Sequence, residues 1–173
     1  TCPLPRQAAR PSSGLGYEDA LAMARAGGDV IIAGRNAQKG ADAVSTILSK
    51  VPSAKVRFEK VDLANLKSIS EFSARIRQQR DSLDVLINNA AVMNPPERHE
   101  TSDGFELQFG TNFLGHFALT AELMPLLRHG KNPRVVTLSS VAARAGTINF
   151  NDLHAKQSYK PMQVYAQSKL ACL

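Results

Sequence analysis

The feature that most constrains this chain is a repeated change of hydrophobic period along its length. Short β-branched runs alternate with longer stretches whose apolar residues recur every three or four positions. Residues 15–28 read as a helix stopped by Gly27-Gly28. Asp29-Val30-Ile31-Ile32-Ala33-Gly34 is almost uniformly apolar, as expected of a strand buried on both faces of a parallel sheet. Ala37, Ala41, Val44, Ile47 and Leu48 then repeat at helical spacing. Val56-Arg57-Phe58-Glu59 alternates as a strand, Ile69, Phe72 and Ile76 mark an amphipathic helix, and Leu83-Asp84-Val85-Leu86-Ile87 is the next strand. Thr101-Ser102-Asp103 is predicted to cap a long helix running toward Leu127. Residues 134–138 form another strand, and Pro161 suits the first turn of a final helix. Strands separated by helices imply βαβ units and a parallel sheet covered on both faces. The expected class is α/β, doubly wound.

Composition narrows the function classes. The chain has 173 residues, 43% hydrophobic, with a net charge of +6, which is ordinary for a globular domain and unlike disordered or disulfide-rich chains. No apolar run approaches the ~20 residues of a membrane span, and the first residues lack the apolar core of a signal peptide. Cys2 and Cys172 stand at opposite ends, so neither a disulfide framework nor metal-ligand spacing is expected, and a cytoplasmic location follows as the default. The basic residues are scattered. Their closest grouping, Arg75-Ile76-Arg77-Gln78-Gln79-Arg80, reads as a solvated helix face rather than a nucleic-acid surface. His99, His116, His129 and His154 show no metal spacing, and His116 reads as structural.

In a doubly wound sheet, ligands bind outside the carboxyl ends of the strands. The residues there are Ser12-Ser13-Gly14-Leu15-Gly16, Gly34-Arg35-Asn36, Asp62-Leu63, Asn88-Asn89-Ala90-Ala91 and Ser139-Ser140. Tyr165 and Lys169 follow, four apart and so on one helical face. With Thr111-Asn112-Phe113-Leu114-Gly115-His116-Phe117 and Tyr165-Ala166-Gln167-Ser168-Lys169-Leu170-Ala171, these stretches fall in an order that resembles the short-chain dehydrogenase/reductase family. The resemblance is strongest to the branch containing retinol dehydrogenases and protochlorophyllide reductases. It implies a Rossmann fold and hydride transfer between a nicotinamide dinucleotide and an alcohol or carbonyl.

That reaction leaves negative charge growing on a carbonyl oxygen, so the site must supply a proton and hydrogen bonds aimed at it. By resemblance, Tyr165 is the acid/base. A free phenol titrates near pKa ~10, and a cationic Lys169 one turn away favours the phenolate. The resemblance also gives Lys169 the ribose hydroxyls of the cofactor, Ser140 rather than Ser139 the substrate oxygen, and Asn112 a water-linked proton path to the lysine. The cofactor set it implies is Ser13, Gly14, Leu15, Gly16, Arg35, Asp62, Leu63, Asn89, Ala90 and Ala91, with Tyr165 and Lys169. Gly usually stands where this chain has Ala91. No acid follows Gly34, whereas Arg35 suits an adenosine 2′-phosphate, so NADP(H) is favoured over NAD(H).

Two departures complete the reading. The family's Thr-Gly falls at Ala9 and Arg10, and Pro3 and Pro5 would each delete a ladder donor in a central strand. Residues 1–12 are therefore expected to be an atypical segment, from a frameshift, a wrong start or an alternative exon, ahead of a nucleotide-binding domain at 13–173. That domain is expected to be truncated at its C-terminus, and residues 1–173 alone are predicted not to be a competent catalyst. The expected partner is a hydrophobic small-molecule alcohol or carbonyl, with a homo-oligomer left open. Two alternatives also stay open: a catalytically silent binding protein of this fold, and a nucleotide-sugar epimerase or dehydratase.

Overall fold

The computed structural model describes residues 14–173, in two compact units that divide between Val61 and Asp62. The expectations for Pro3, Pro5, Ala9, Arg10 and Ser13 lie outside the described residues.

In the first unit, α1 (Leu15–Arg25) leads into β1 (Asp29–Gly34), α2 (Ala37–Lys50) and β2 (Lys55–Lys60). Gly27 reverses the chain after α1 at φ 83°, a conformation costly for a residue with a Cβ. Asn36 caps α2, its side chain accepting from the Lys39 amide at 2.9 Å. The two strands pair in parallel from Asp29↔Lys55 to Gly34↔Lys60, joined by α2. Tyr17, Ala20, Leu21 and Ala24 of α1 bury against Ala43 and Ile47 of α2. Val30 and Ile32, two apart and so on one face of β1, pack on that cluster. Burial of β1 is less complete than its apolar run implies: Val30, Ile31 and Ile32 are half-buried and Ala33 is exposed.

The second unit contains α3 (Leu66–Gln79), β3 (Val85–Asn88), the short α4 (Leu107–Phe109), a π-helical turn Gly110–Leu114, α5 (Gly115–Arg128), β4 (Arg134–Thr137), a 3-10 turn Val141–Ala145 and α6 (Pro161–Ala171). Strands β3 and β4 are parallel, from Val85↔Arg134 to Asn88↔Thr137. Ile69, Phe72 and Ile76 of α3 are buried, as are Leu119, Leu123, Leu126 and Leu127 of α5, and the two helices pack together. Gly115 lets α5 approach the chain at Leu63: a Cβ there would lie 2.4 Å from the Leu63 carbonyl oxygen.

The helix expected from Thr101-Ser102-Asp103 begins later, at Leu107. Thr101 Oγ1 instead accepts from the Asp103 and Phe105 amides around Gly104, which has φ 81°. Asp103 caps a different helix, accepting from the Leu66 amide of α3 at 2.9 Å. The true cap of α4 is Glu106, which accepts from Gln108 N and Phe109 N at 2.9 and 2.7 Å. Among the described residues, no helix is long and apolar enough to cross a membrane.

Candidate active site

Helix α6 departs from the usual amphipathic pattern: all six residues from Val164 to Lys169 are buried, three of them polar. Buried polar groups need partners, and these have them. Gln167 accepts from the Asn149 amide at 2.8 Å and donates to the Leu153 carbonyl at 3.0 Å. Ser168 Oγ donates to the Tyr165 carbonyl and accepts from Asn112 Nδ2 at 2.9 Å. Lys169, only 3% exposed, donates from Nζ to the Leu138 carbonyl at 2.9 Å. Burial holds its ammonium below the ordinary lysine value, with Cys172 opposing.

The end of β4 is tied to the same helix. Ser139 donates from Oγ to the Lys169 carbonyl at 2.6 Å, so its hydroxyl proton is committed to backbone. Ser140 accepts at Oγ from the Ala142 amide at 3.2 Å and retains its own O–H for donation. The two neighbouring hydroxyls differ in their hydrogen bonding. Leu138, Ser139 and Lys169 thus bind the strand end and α6 together from both directions.

Asn112 sits in the π-helical turn, 1% exposed. Such single-turn insertions recur at functional sites. Its side chain accepts from Val92 N at 2.7 Å and donates to Val92 O and Ser168 Oγ, both at 2.9 Å. Its carbonyl accepts from the Cys172 thiol at 3.3 Å. Asn112, Ser140, Tyr165 and Lys169 therefore lie on segments bonded to one another within the second unit.

The remaining candidates divide by unit. In the second, Asp62 accepts from the Ala64 amide at 3.0 Å, and Leu63 presses its backbone on Gly115. Asn88, 4% exposed, braces the sheet by donating to Thr120 and Thr137. Just beyond it, Asn89 is half-buried, and Ala90 and Ala91 are exposed. His116 Nε2 lies 2.8 Å from the Ala90 carbonyl, and burial pushes its pKa down, so a neutral ring donates to that backbone. In the first unit, Gly14 has φ 115° and leaves α1 without a side-chain cap; Leu15 is exposed and Gly16 half-buried. Arg35 is exposed at the end of β1. Sequence reasoning missed Glu106 and Gln108, both 0% exposed, and Tyr159. The available signal was a carboxylate and an amide within an otherwise apolar stretch leading to Asn112. Among the described residues, no group of three His, Cys, Asp or Glu side chains could hold a metal ion.

The profile of the short chain dehydrogenase family matches residues 11–172. The chain belongs to the short-chain dehydrogenase family. It is 44% identical to retinol dehydrogenase 13 of Mus musculus over 161 residues, covering 92% of this chain and 48% of that protein. The chain thus spans about half the length of the curated relatives it matches. A solved structure of an uncharacterized protein from Mycobacterium Paratuberculosis is 42% identical with a TM-score of 0.81, covering 93% of this chain and 55% of that one. A short chain dehydrogenase from Escherichia coli CFT073, solved in complex with NADPH, is 26% identical with a TM-score of 0.72, over 92% and 63% of the two chains. The fold is accordingly the α/β Rossmann fold of these dehydrogenases, present in part.

Proposed function

We propose that the protein is an NADP(H)-dependent oxidoreductase interconverting a hydrophobic alcohol and its carbonyl. The observation that carries this reading is the burial of Tyr165 and Lys169 on α6, with Lys169 bonded to the end of β4 beside Ser140. A buried lysine retains two further N–H donors beyond the one given to Leu138. These suit the ribose hydroxyls, and the cation favours ionisation of the Tyr165 phenol. Tyr165 then gives a proton to the substrate oxygen or takes one from it. Ser140 donates a hydrogen bond to that oxygen as charge grows there. Asn112 fixes the turn beside α6 and supports the proton path to Lys169.

The residues present fit a dinucleotide. Gly14 holds a backbone conformation suited to glycine at an uncapped start of an 11-residue helix, where amides and helix dipole favour a phosphate. Gly14, Leu15 and Gly16, with Ser13, are assigned to the pyrophosphate. Arg35 is assigned to the 2′-phosphate, Asp62 and Leu63 to the adenine, and Asn89, Ala90 and Ala91 to the adenosine ribose. When bound, the nicotinamide supplies or accepts the hydride. The NADPH complex of the Escherichia coli relative supports the cofactor choice, and the retinol dehydrogenase supports a hydrophobic substrate.

The test is a fluorescence titration of the intact protein with NADPH and NADH, followed by nicotinamide absorbance with hydrophobic aldehydes. Tighter binding of NADPH and aldehyde-dependent oxidation are expected. Absence of dinucleotide binding would favour a silent member of the fold.

A further inference from the structure

We infer that Gln108 is a positioning residue for the helix carrying Tyr165 and Lys169, acting through a clamp shared with Tyr159 and Asn112. The inference rests on the proposed function, in which α6 bears the reacting groups.

Gln108 is fully buried, and each end of its amide is used. Its Oε1 accepts from the Asn94 amide at 2.8 Å. Its Nε2 donates to the Pro161 carbonyl at 3.0 Å and lies 3.4 Å from the Tyr159 hydroxyl. That hydroxyl donates to the Pro95 carbonyl at 2.9 Å. Gln108 and Tyr159 therefore join the segment after β3 to the first residue of α6. By the i→i−4 rule, the Pro161 carbonyl is also the one facing the Tyr165 amide, so the clamp grips the turn that ends at the acid/base residue.

Asn112 forms a second rung four residues on. It takes Val92, two residues before Asn94, and bonds Ser168, the neighbour of Lys169. The two amides thus hold one segment at alternate residues and α6 near each end. Asn94 adopts φ 55°, a left-handed conformation uncommon outside glycine, as its amide meets Gln108. The chemistry requires an amide at position 108. One atom must accept from a backbone N–H while another donates to a backbone carbonyl. A carboxylate can do only the first, and a thioether does neither well.

The experiment compares Gln108→Met, Gln108→Glu, Tyr159→Phe and Tyr165→Phe in the intact protein, with Ile69→Val in α3 as a core variant away from the site. Steady-state kinetics are measured alongside amide hydrogen exchange. Both Gln108 variants are expected to lower kcat by about tenfold or more while KM changes little, because misplacement near 1 Å costs about a hundredfold. Exchange at Asn94 should quicken in Gln108→Met but stay protected in Gln108→Glu, which keeps the acceptor. Tyr159→Phe, at a partly exposed site, should lower kcat about twofold or more, and it decides the matter where the Gln108 variants do not fold. Ile69→Val should leave kcat unchanged. Unchanged kcat in folded Gln108 variants, or in Tyr159→Phe where those do not fold, would overturn the inference. So would a loss reproduced by Ile69→Val. Retained turnover in Tyr165→Phe would instead remove the proposed function itself.

Discussion

The end of β1 and helix α6 carry their proposed ligand groups in opposite ways. Arg35 is exposed, on a strand end whose local order comes from its neighbour Asn36 capping α2. On α6, Tyr165 and Lys169 are buried, and the polar neighbours Gln167 and Ser168 are bonded into the fold. A residue that reads a ligand's charge needs reach and sign, so a flexible exposed stem suffices. A group that exchanges a proton with a reacting atom needs fixed geometry, which a buried, satisfied network provides. Changes at Arg35 should therefore alter affinity alone. Changes around α6 should alter turnover, stability or both.

The largest expected effect is at Tyr165. Tyr165→Phe should lower kcat by about 10²–10⁴-fold, the usual contribution of general acid–base catalysis, while NADPH affinity holds within error. Lys169→Ala should reduce both turnover and affinity, because one ammonium is proposed to serve both the phenol and the ribose. A Lys169→Ala protein impaired only in binding would separate those two roles.

Arg35→Asp sharpens the other side. Replacing the guanidinium should weaken NADPH binding by about 1.5–3 kcal/mol and spare NADH, with no change in melting temperature. Isothermal titration with both cofactors decides it. Equal losses for the two would show that Arg35 does not read the 2′-phosphate.

Gly115→Ala tests whether close packing in the second unit matters. Its Cβ would meet the Leu63 carbonyl at 2.4 Å, so stability should fall by about 1–3 kcal/mol, read as a lower denaturant midpoint. The smallest effect concerns pH. Burial lowers the His116 pKa from 6.5, so in acid the unfolded chain binds a proton that the folded one resists. Stability should fall as pH drops below the ordinary imidazole value, toward the lowered folded value. Thermal melts of His116→Gln should show a flatter dependence across that window.

Much of the fold was legible because period and caps act locally. The Gly27 turn, the strands about Val56 and Val135, and Pro161 at the start of α6 all follow from neighbours in sequence. The cap at Thr101 misled because Asp103 serves Leu66, a partner 37 residues away that no local pattern reveals. Of the proposed site, helical spacing places Tyr165 and Lys169 on one face of α6, and their proposed roles come from the family resemblance. Gln108 was not legible, since its worth lies in bonds to Asn94 and Pro161 that exist only after folding.

The most direct measurement is isotope transfer. The intact protein is incubated with NADPH carrying deuterium at the transferring position and a hydrophobic aldehyde, and the alcohol is analysed by mass spectrometry. The expected result is deuterium at the carbinol carbon with the parent protein and almost none with Tyr165→Phe. Transfer that is undiminished in Tyr165→Phe, or absent from the parent with every carbonyl tried, would contradict the assignment of α6 as the catalytic helix.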